Sequence, residues 1–186
     1  MLFQSNALTA ALAEHLHGLP PGPCQLNIAH KARHETTAVV ELGEQPIYKP
    51  VASIGSFAFG RGEQTARGWL VPTDRPIAER RPFVEDIIWK DCVVEGKEAR
   101  LSTDLPFTPA ELIVSITKKL HHSLMPPATG CHWAVTRFVL SRPFESNDTA
   151  PLAIEFETSI GVTLTRCAVR SHDKAIGHIF FSLAPL

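Results

Sequence analysis

The chain lacks most of the signals by which a function is usually read. Its 186 residues include four cysteines, Cys24, Cys92, Cys131 and Cys167, which stand far apart with no CxxC pair. Free buried thiols are therefore expected rather than a disulfide framework, and with no export signal apparent the expected location is the cytoplasm. Basic and acidic residues nearly cancel, 18 against 19, for a net charge of -1. A protein that neutralises a row of phosphates carries a basic surplus, so nucleic acid is not an expected partner. No apolar run approaches the roughly 18 to 20 residues of a membrane span, which argues against a membrane protein. There is no G-x-S-x-G elbow, no phosphate-cradling glycine loop and no dinucleotide fingerprint. Gly55 to Gly62 is glycine-rich but sits between strand-like runs, where a hairpin is the expected structure. Cys131-His132 has no companion pair at metal-ligand spacing, so no metal is expected.

What remains is a globular balance: 44% hydrophobic and 20% charged residues, enough for one domain with a real core. Phe3-Gln4-Ser5-Asn6-Ala7 has the composition of a tag-cleavage remnant, and residues 1–7 are set aside; residues 8–186 are taken as a single domain. One helix is written with unusual clarity. Thr108 is a capping residue, Glu111 three positions on completes a capping box, and Pro109 occupies the first helical position. Leu112, Ile113, Ile116, Leu120 and Leu124 then give one apolar face, and Pro126-Pro127 stop the helix.

Around it nearly everything reads as strand. Leu8–Leu16 is a short helix candidate ended by Gly18 and a proline cluster. Residues 24–42 read as extended with a break near His34, and 51–59 and 65–71 as a hairpin about Gly60-Arg61-Gly62. Residues 73–82 read as a proline-rich loop, while 84–94 and 97–102 read as strands joined at Glu95-Gly96. After the helix come strands at 133–140, 152–158, 162–170 and 175–183. Leu152, Ile154 and Phe156 alternate with Ala153, Glu155 and Glu157, so one face of that strand packs and the other does not. The expected class is α+β, a mostly antiparallel sheet with one principal helix.

A solitary helix followed by long strands resembles the hotdog fold, in which a curled sheet wraps a central helix. Phe138-Val139-Leu140-Ser141-Arg142-Pro143-Phe144 resembles the strand end that follows the helix in hotdog dehydratases and thioesterases. The strands that follow it, closing at Gly177 to Ser182, continue that resemblance. The segment Phe107 to Ile113, the helix stop at Pro126, the N-terminal helix and Cys24 are similar to the mycobacterial-type long-chain fatty acyl-CoA thioesterases. The likeness covers residues 8–42 and 100–186; residues 43–99 depart from it as an extra hairpin region. The tyrosines that line those enzymes' pockets are also missing, Tyr48 being the only one.

The resemblance implies an enzyme acting on acyl thioesters of coenzyme A or of acyl-carrier protein, most simply a hydrolase. It implies a homodimer with no cofactor beyond the coenzyme A or phosphopantetheine arm of the substrate. Thioester chemistry needs a polarised carbonyl, which amides at a helix N-terminus supply, and a carboxylate acting as nucleophile or base. Glu111, Thr108 and Asp104 are the catalytic candidates, and Leu112, Ser115, Arg137, Arg142, Tyr48 and His34 the substrate-binding ones. Each has a plain alternative. Glu111 and Thr108 close a capping box, Asp104 suits a turn before Pro106, and the arginines suit a solvated sheet edge or intersubunit pairs. His121 and His122 point to different faces near the helix C-terminus, where a partial positive charge suits the dipole, which is the expected reason for one of them. A dehydratase or conjugate-addition enzyme, and a non-catalytic acyl-binding scaffold, are the competing functions. Dehydratases of this fold rely on a histidine paired with an acid, and no histidine stands at this helix start.

Overall fold

The structure, a computed structural model, describes residues 23–28, 34–42, 52–61, 64–76, 84–142, 144–161 and 163–185. The expected Leu8–Leu16 helix and Tyr48 lie outside the described residues. The chain divides into two compact units, residues 1–82 with 138–143, and residues 83–137 with 144–186.

The described part of the first unit is an antiparallel sheet in which only β3 and β4 are neighbours both in sequence and in space. Strands β1 (Cys24–Ile28), β2 (His34–Leu42), β3 (Gly55–Arg61) and β4 (Gln64–Pro76) lie in the order β2-β4-β3-β1. The expected break near His34 falls between β1 and β2, and the Gly60-Arg61-Gly62 hairpin is present, with Arg61 opposite Gln64. One expectation fails here. β4 runs on to Pro76, through residues read as loop. Its pairing with β3 ends at Leu70, so Pro72 and Pro76 occupy a stretch with β2 alone as ladder partner. There a missing amide is tolerated as it is on an edge strand.

The second unit contains α1 (Glu85–Asp91), β5 (Cys92–Glu95), β6 (Glu98–Leu101), α2 (Pro109–Leu124), β8 (Leu152–Ile160), β9 (Leu164–Ser171) and β10 (Lys174–Pro185). It also takes most of β7 (Cys131–Leu140). Its strand order is β7-β10-β9-β8-β6-β5, antiparallel wherever β5, β6, β8, β9 and β10 pair, and the helix connects β6 to β7. The four strands after the helix match the sequence reading closely. The β9–β10 hairpin turns at His172 and Asp173, whose φ values of 49 and 62 mark a type I′ turn. The unit is α+β with the hotdog arrangement, an antiparallel sheet packed on one central helix. The sheet does not close on itself.

Two local expectations are corrected. Residues 84–94 were read as one strand, but 85–91 form α1. Glu85 and Asp86 in its first turn and Lys90 in its last oppose the helix dipole favourably, and Ile88 is buried. A seven-residue helix is not stable by itself, so its contacts with the rest of the unit decide the matter, and local alternation does not show them. The second correction concerns α2. It was expected to bury one apolar face, yet Pro109 through Thr117 are buried without a gap, followed by Leu120 and His121. The sheet covers one side. Ile113, Ile116 and Leu120 are fully buried, as are Ile154, Cys167, Val169, Ile179 and Phe181 of β8 to β10. Burial of each such aliphatic side chain stabilises by about 1.5–3 kcal/mol. On another side α1 contacts Ser115, Lys118, Lys119 and His122.

Candidate active site at the start of the buried helix

The capping box expected from sequence is present. The Glu111 amide donates to Thr108 Oγ1 at 3.4 Å, and Glu111 Oε2 accepts from the Thr108 amide at 2.9 Å and from its hydroxyl at 2.7 Å. Glu111 is only 2% exposed. A buried carboxylate is normally paired with a cation, because taking the charge out of water is costly. Among the described residues Glu111 has no such cation, and both of its acceptor bonds fall on one oxygen. The first turn also keeps one donor in reserve. Pro109 has no amide hydrogen, and the Glu111 amide is taken by Thr108, which leaves the Ala110 N–H without a partner among the described residues.

Helical spacing places Ser115 one turn beyond Glu111 on the same face, and Lys118, Lys119 and His122 continue that polar stripe. Ser115 is fully buried, and its Oγ has no hydrogen-bond partner among the described residues. Side chains in a helix tilt toward its N-terminus, so this hydroxyl leans over the turn that carries Glu111. Further along, α1 lies against the stripe. The Trp89 indole N–H donates to the Ser115 carbonyl at 3.1 Å, and Lys118 Nζ pairs with Glu85 Oε1 at 2.8 Å. Lys119 Nζ donates to the carbonyls of Trp89 and Cys92. The Trp89 and His122 rings are 5.4 Å apart.

The structure therefore brings Thr108, Glu111, Leu112 and Ser115 onto one buried stretch of helix, with Leu112 fully buried beside them. It does not gather the other candidates there. Asp104 is exposed and makes no hydrogen bond to Thr108 or Glu111. Arg137 lies in β7 with its guanidinium over the Phe180 ring, 5.5 Å from the centroid. Arg142 belongs to the first unit, where its carbonyl accepts from Cys24 Sγ at 3.7 Å; His34 opens β2 of that same unit.

Of the two histidines, one of which was expected to suit the helix end, His121 is not that one. It is completely buried against the sheet, its Nδ1 2.7 Å from the Thr117 carbonyl and its Nε2 2.6 Å from Thr165 Oγ1. Trp133, Phe156 and Phe181 surround the ring. Burial pushes its pKa below the ordinary value, against the opposing effect of the Thr117 carbonyl. A neutral imidazole donating from Nδ1 and accepting at Nε2 satisfies both bonds, so His121 is an internal brace and not a cation at the helix end; His122 is exposed. Burial likewise raises the thiols of Cys24 and Cys167 to about 12, which keeps them protonated and poor nucleophiles. Among the described residues no three His, Cys, Asp or Glu side chains are grouped to hold a metal ion. Among them, too, no helix is long and apolar enough to cross a membrane.

Sequence reasoning took Lys119 only as a cation for the phosphates of coenzyme A or a carrier-protein arm, named the amides of this helix start without singling out Ala110, and did not see Trp89. The Ala110 amide did have a signal, since proline at the first helical position always leaves the next amide exposed to choice.

No family model and no curated protein matches the chain. Solved structures resemble it at low identity. One is the acyl-CoA thioesterase II TesB2 from Mycobacterium marinum, with a TM-score of 0.45 and 10% identity over 100% of this chain and 90% of that one. The dehydratase domain of the CurF module of curacin polyketide synthase also scores 0.45 at 10% identity, over 96% of this chain and 81% of that one. A hotdog-fold protein of unknown function from Alicyclobacillus acidocaldarius scores 0.43 at 10% identity, over 97% and 87%.

Proposed function

We propose that this protein hydrolyses acyl thioesters of coenzyme A or of acyl-carrier protein, with Glu111 as general base. The observation that carries the reading is the pair of unspent polar groups beside that carboxylate, the Ala110 amide and the Ser115 hydroxyl, both buried and both without partners among the described residues. A buried hydroxyl left unpaired costs roughly 1–3 kcal/mol, which a bound water or substrate oxygen would recover.

In this reading the thioester carbonyl accepts from the Ala110 N–H at the positive end of the helix, which favours the oxyanion as it forms. Ser115 Oγ and the Glu111 carboxylate hold a water. Glu111 removes its proton as the oxygen attacks the carbonyl carbon; the tetrahedral intermediate then expels the thiolate, which takes the proton back from Glu111. A carboxylic acid and a free thiol leave. The resemblance of the 107–113 and 138–144 segments to fatty acyl-CoA thioesterases supports the same substrate class. A cytoplasmic homodimer belongs to this proposal by analogy of fold alone.

Glu111→Gln tests it, because glutamine can close the capping box and cannot take the proton. Thiol release from an acyl-CoA and acyl-carrier-protein panel is expected to fall by about 10²–10⁴ with the melting temperature nearly unchanged. Glu111→Ala should lose the same activity and also about 1 kcal/mol of stability. Full turnover by Glu111→Gln would reduce this residue to a cap. Products that keep the thioester but change mass would reassign the site to dehydration or addition, and binding without turnover would favour a scaffold.

A further inference from the structure

Helix α1 is held in place in an unusual way. It has seven residues, no side-chain bond at its N-cap and one fully buried apolar side chain, Ile88. Ile87 and the capping Val84 face outward, 44% and 46% exposed. Isolated helices of this length do not persist in water, and apolar burial on this scale does not compensate. Its seat on α2 is instead largely polar, through Glu85 to Lys118, the Trp89 indole to the Ser115 carbonyl, and Lys119 to the carbonyls of Trp89 and Cys92. The Lys119 ammonium thus meets the negative end of α1 where its last carbonyls lack helical donors.

All of these contacts fall on one stripe of α2, the stripe that begins with Glu111. Trp89 is the aromatic side chain that reaches it, bonded at Ser115 and half-buried. The carboxylate folds back to Thr108, whereas the indole bonds at the Ser115 carbonyl. At about 1.5 Å of rise per residue the indole therefore lies roughly two helical turns, on the order of 10 Å, along the stripe from the carboxylate. An acyl chain whose carbonyl rests at Ala110 and runs along this stripe meets the indole.

We propose that Trp89 is the wall that sets acyl-chain preference at the Glu111 site, and that Lys119 is the positioning residue that holds it there. The inference rests on the thioesterase reading of that site. An indole face is a large, rigid apolar surface, and each methylene it covers is worth about fourfold in binding.

The test uses the intact chain and a series of acyl-CoA thioesters from acetyl to palmitoyl. Trp89→Ala is expected to change the ratio of long-chain to short-chain kcat/KM by about tenfold or more, mainly through KM, while Trp89→Phe shifts it less. An equal loss at every chain length would overturn the proposal. Lys119→Met should raise amide exchange across residues 85–92, leave that of α2 unchanged, and blur the chain-length preference, with Lys119→Arg restoring both. Faster exchange with an unchanged preference would make Lys119 purely structural and overturn its assigned role. A non-hydrolysable acyl-CoA thioether separates this inference from the one beneath it. Protection of residues 85–92 by the thioether without turnover of any thioester removes the hydrolase reading and leaves the wall standing. Turnover with a chain-length profile indifferent to Trp89→Ala removes the wall and leaves the hydrolase.

Discussion

The two sides of α2 treat their buried polar groups in opposite ways. Toward the sheet, Thr117 donates to the Ile113 carbonyl, and His121 bridges the Thr117 carbonyl and Thr165, with aromatic rings closing around it. Each of these groups has a partner, as interiors require. Toward α1, among the described residues, the Ser115 hydroxyl has none, and the buried Glu111 carboxyl has only Thr108 as its side-chain partner. A satisfied polar network specifies packing, whereas an unsatisfied one of equal burial calls for an external partner. The contrast separates brace from site along a single helix.

The largest expected effect lies on the braced side. His121→Ala should cost about 3 kcal/mol by opening a cavity and leaving the Thr117 carbonyl without its side-chain donor, with kcat unchanged in the protein that remains folded. A urea denaturation curve measures the first and thiol release the second. A loss of kcat at intact stability would move His121 into the site and erase the distinction.

The same residue ties stability to pH in a definite direction. Its folded pKa lies below the ordinary 6.5, so the unfolded chain takes up the proton first as the pH drops. The contribution is fully present above about 6.5 and is lost as pH falls from there toward the folded value. Urea midpoints measured between neutral and mildly acidic pH should fall less steeply for His121→Gln than for the parent. Parallel slopes would mean that the imidazole is not held neutral.

The smallest expected change in stability is on the α1 side. Ser115→Ala removes a buried unpaired hydroxyl and installs a better helix former, so stability should rise by about 1–2 kcal/mol. Turnover should nevertheless drop by about tenfold as the water loses its second anchor. Unchanged turnover would make the orphan hydroxyl an ordinary packing defect.

Much of this was readable in the sequence because the cues are local. Thr108, Pro109 and Glu111 write a helix start within four residues, and the post-helix strands alternate cleanly between turns. The misreadings share a cause. Val84-Glu85-Asp86-Ile87-Ile88 carries an apolar pattern compatible with either period, and α1 is chosen by Lys118 and Lys119 some thirty residues away. Which of His121 and His122 is buried was not readable either, because nothing in their neighbourhood announces Phe156, Thr165 and Phe181. Within the site, Glu111 and Thr108 were visible as residue types. The orphaned state of Ser115 was not, since lacking a partner is a property of three-dimensional surroundings.

Pro109 has one more consequence. A helix start ordinarily offers several free amides, and that crowd of donors is what makes such ends hospitable to phosphate and other polyanions. Here proline withdraws one, the capping box occupies another, and a single N–H remains. One donor can grip one oxygen. Under the proposed function such a start would suit a lone carbonyl better than the phosphate groups that a fuller set of donors attracts, a discrimination made by subtraction.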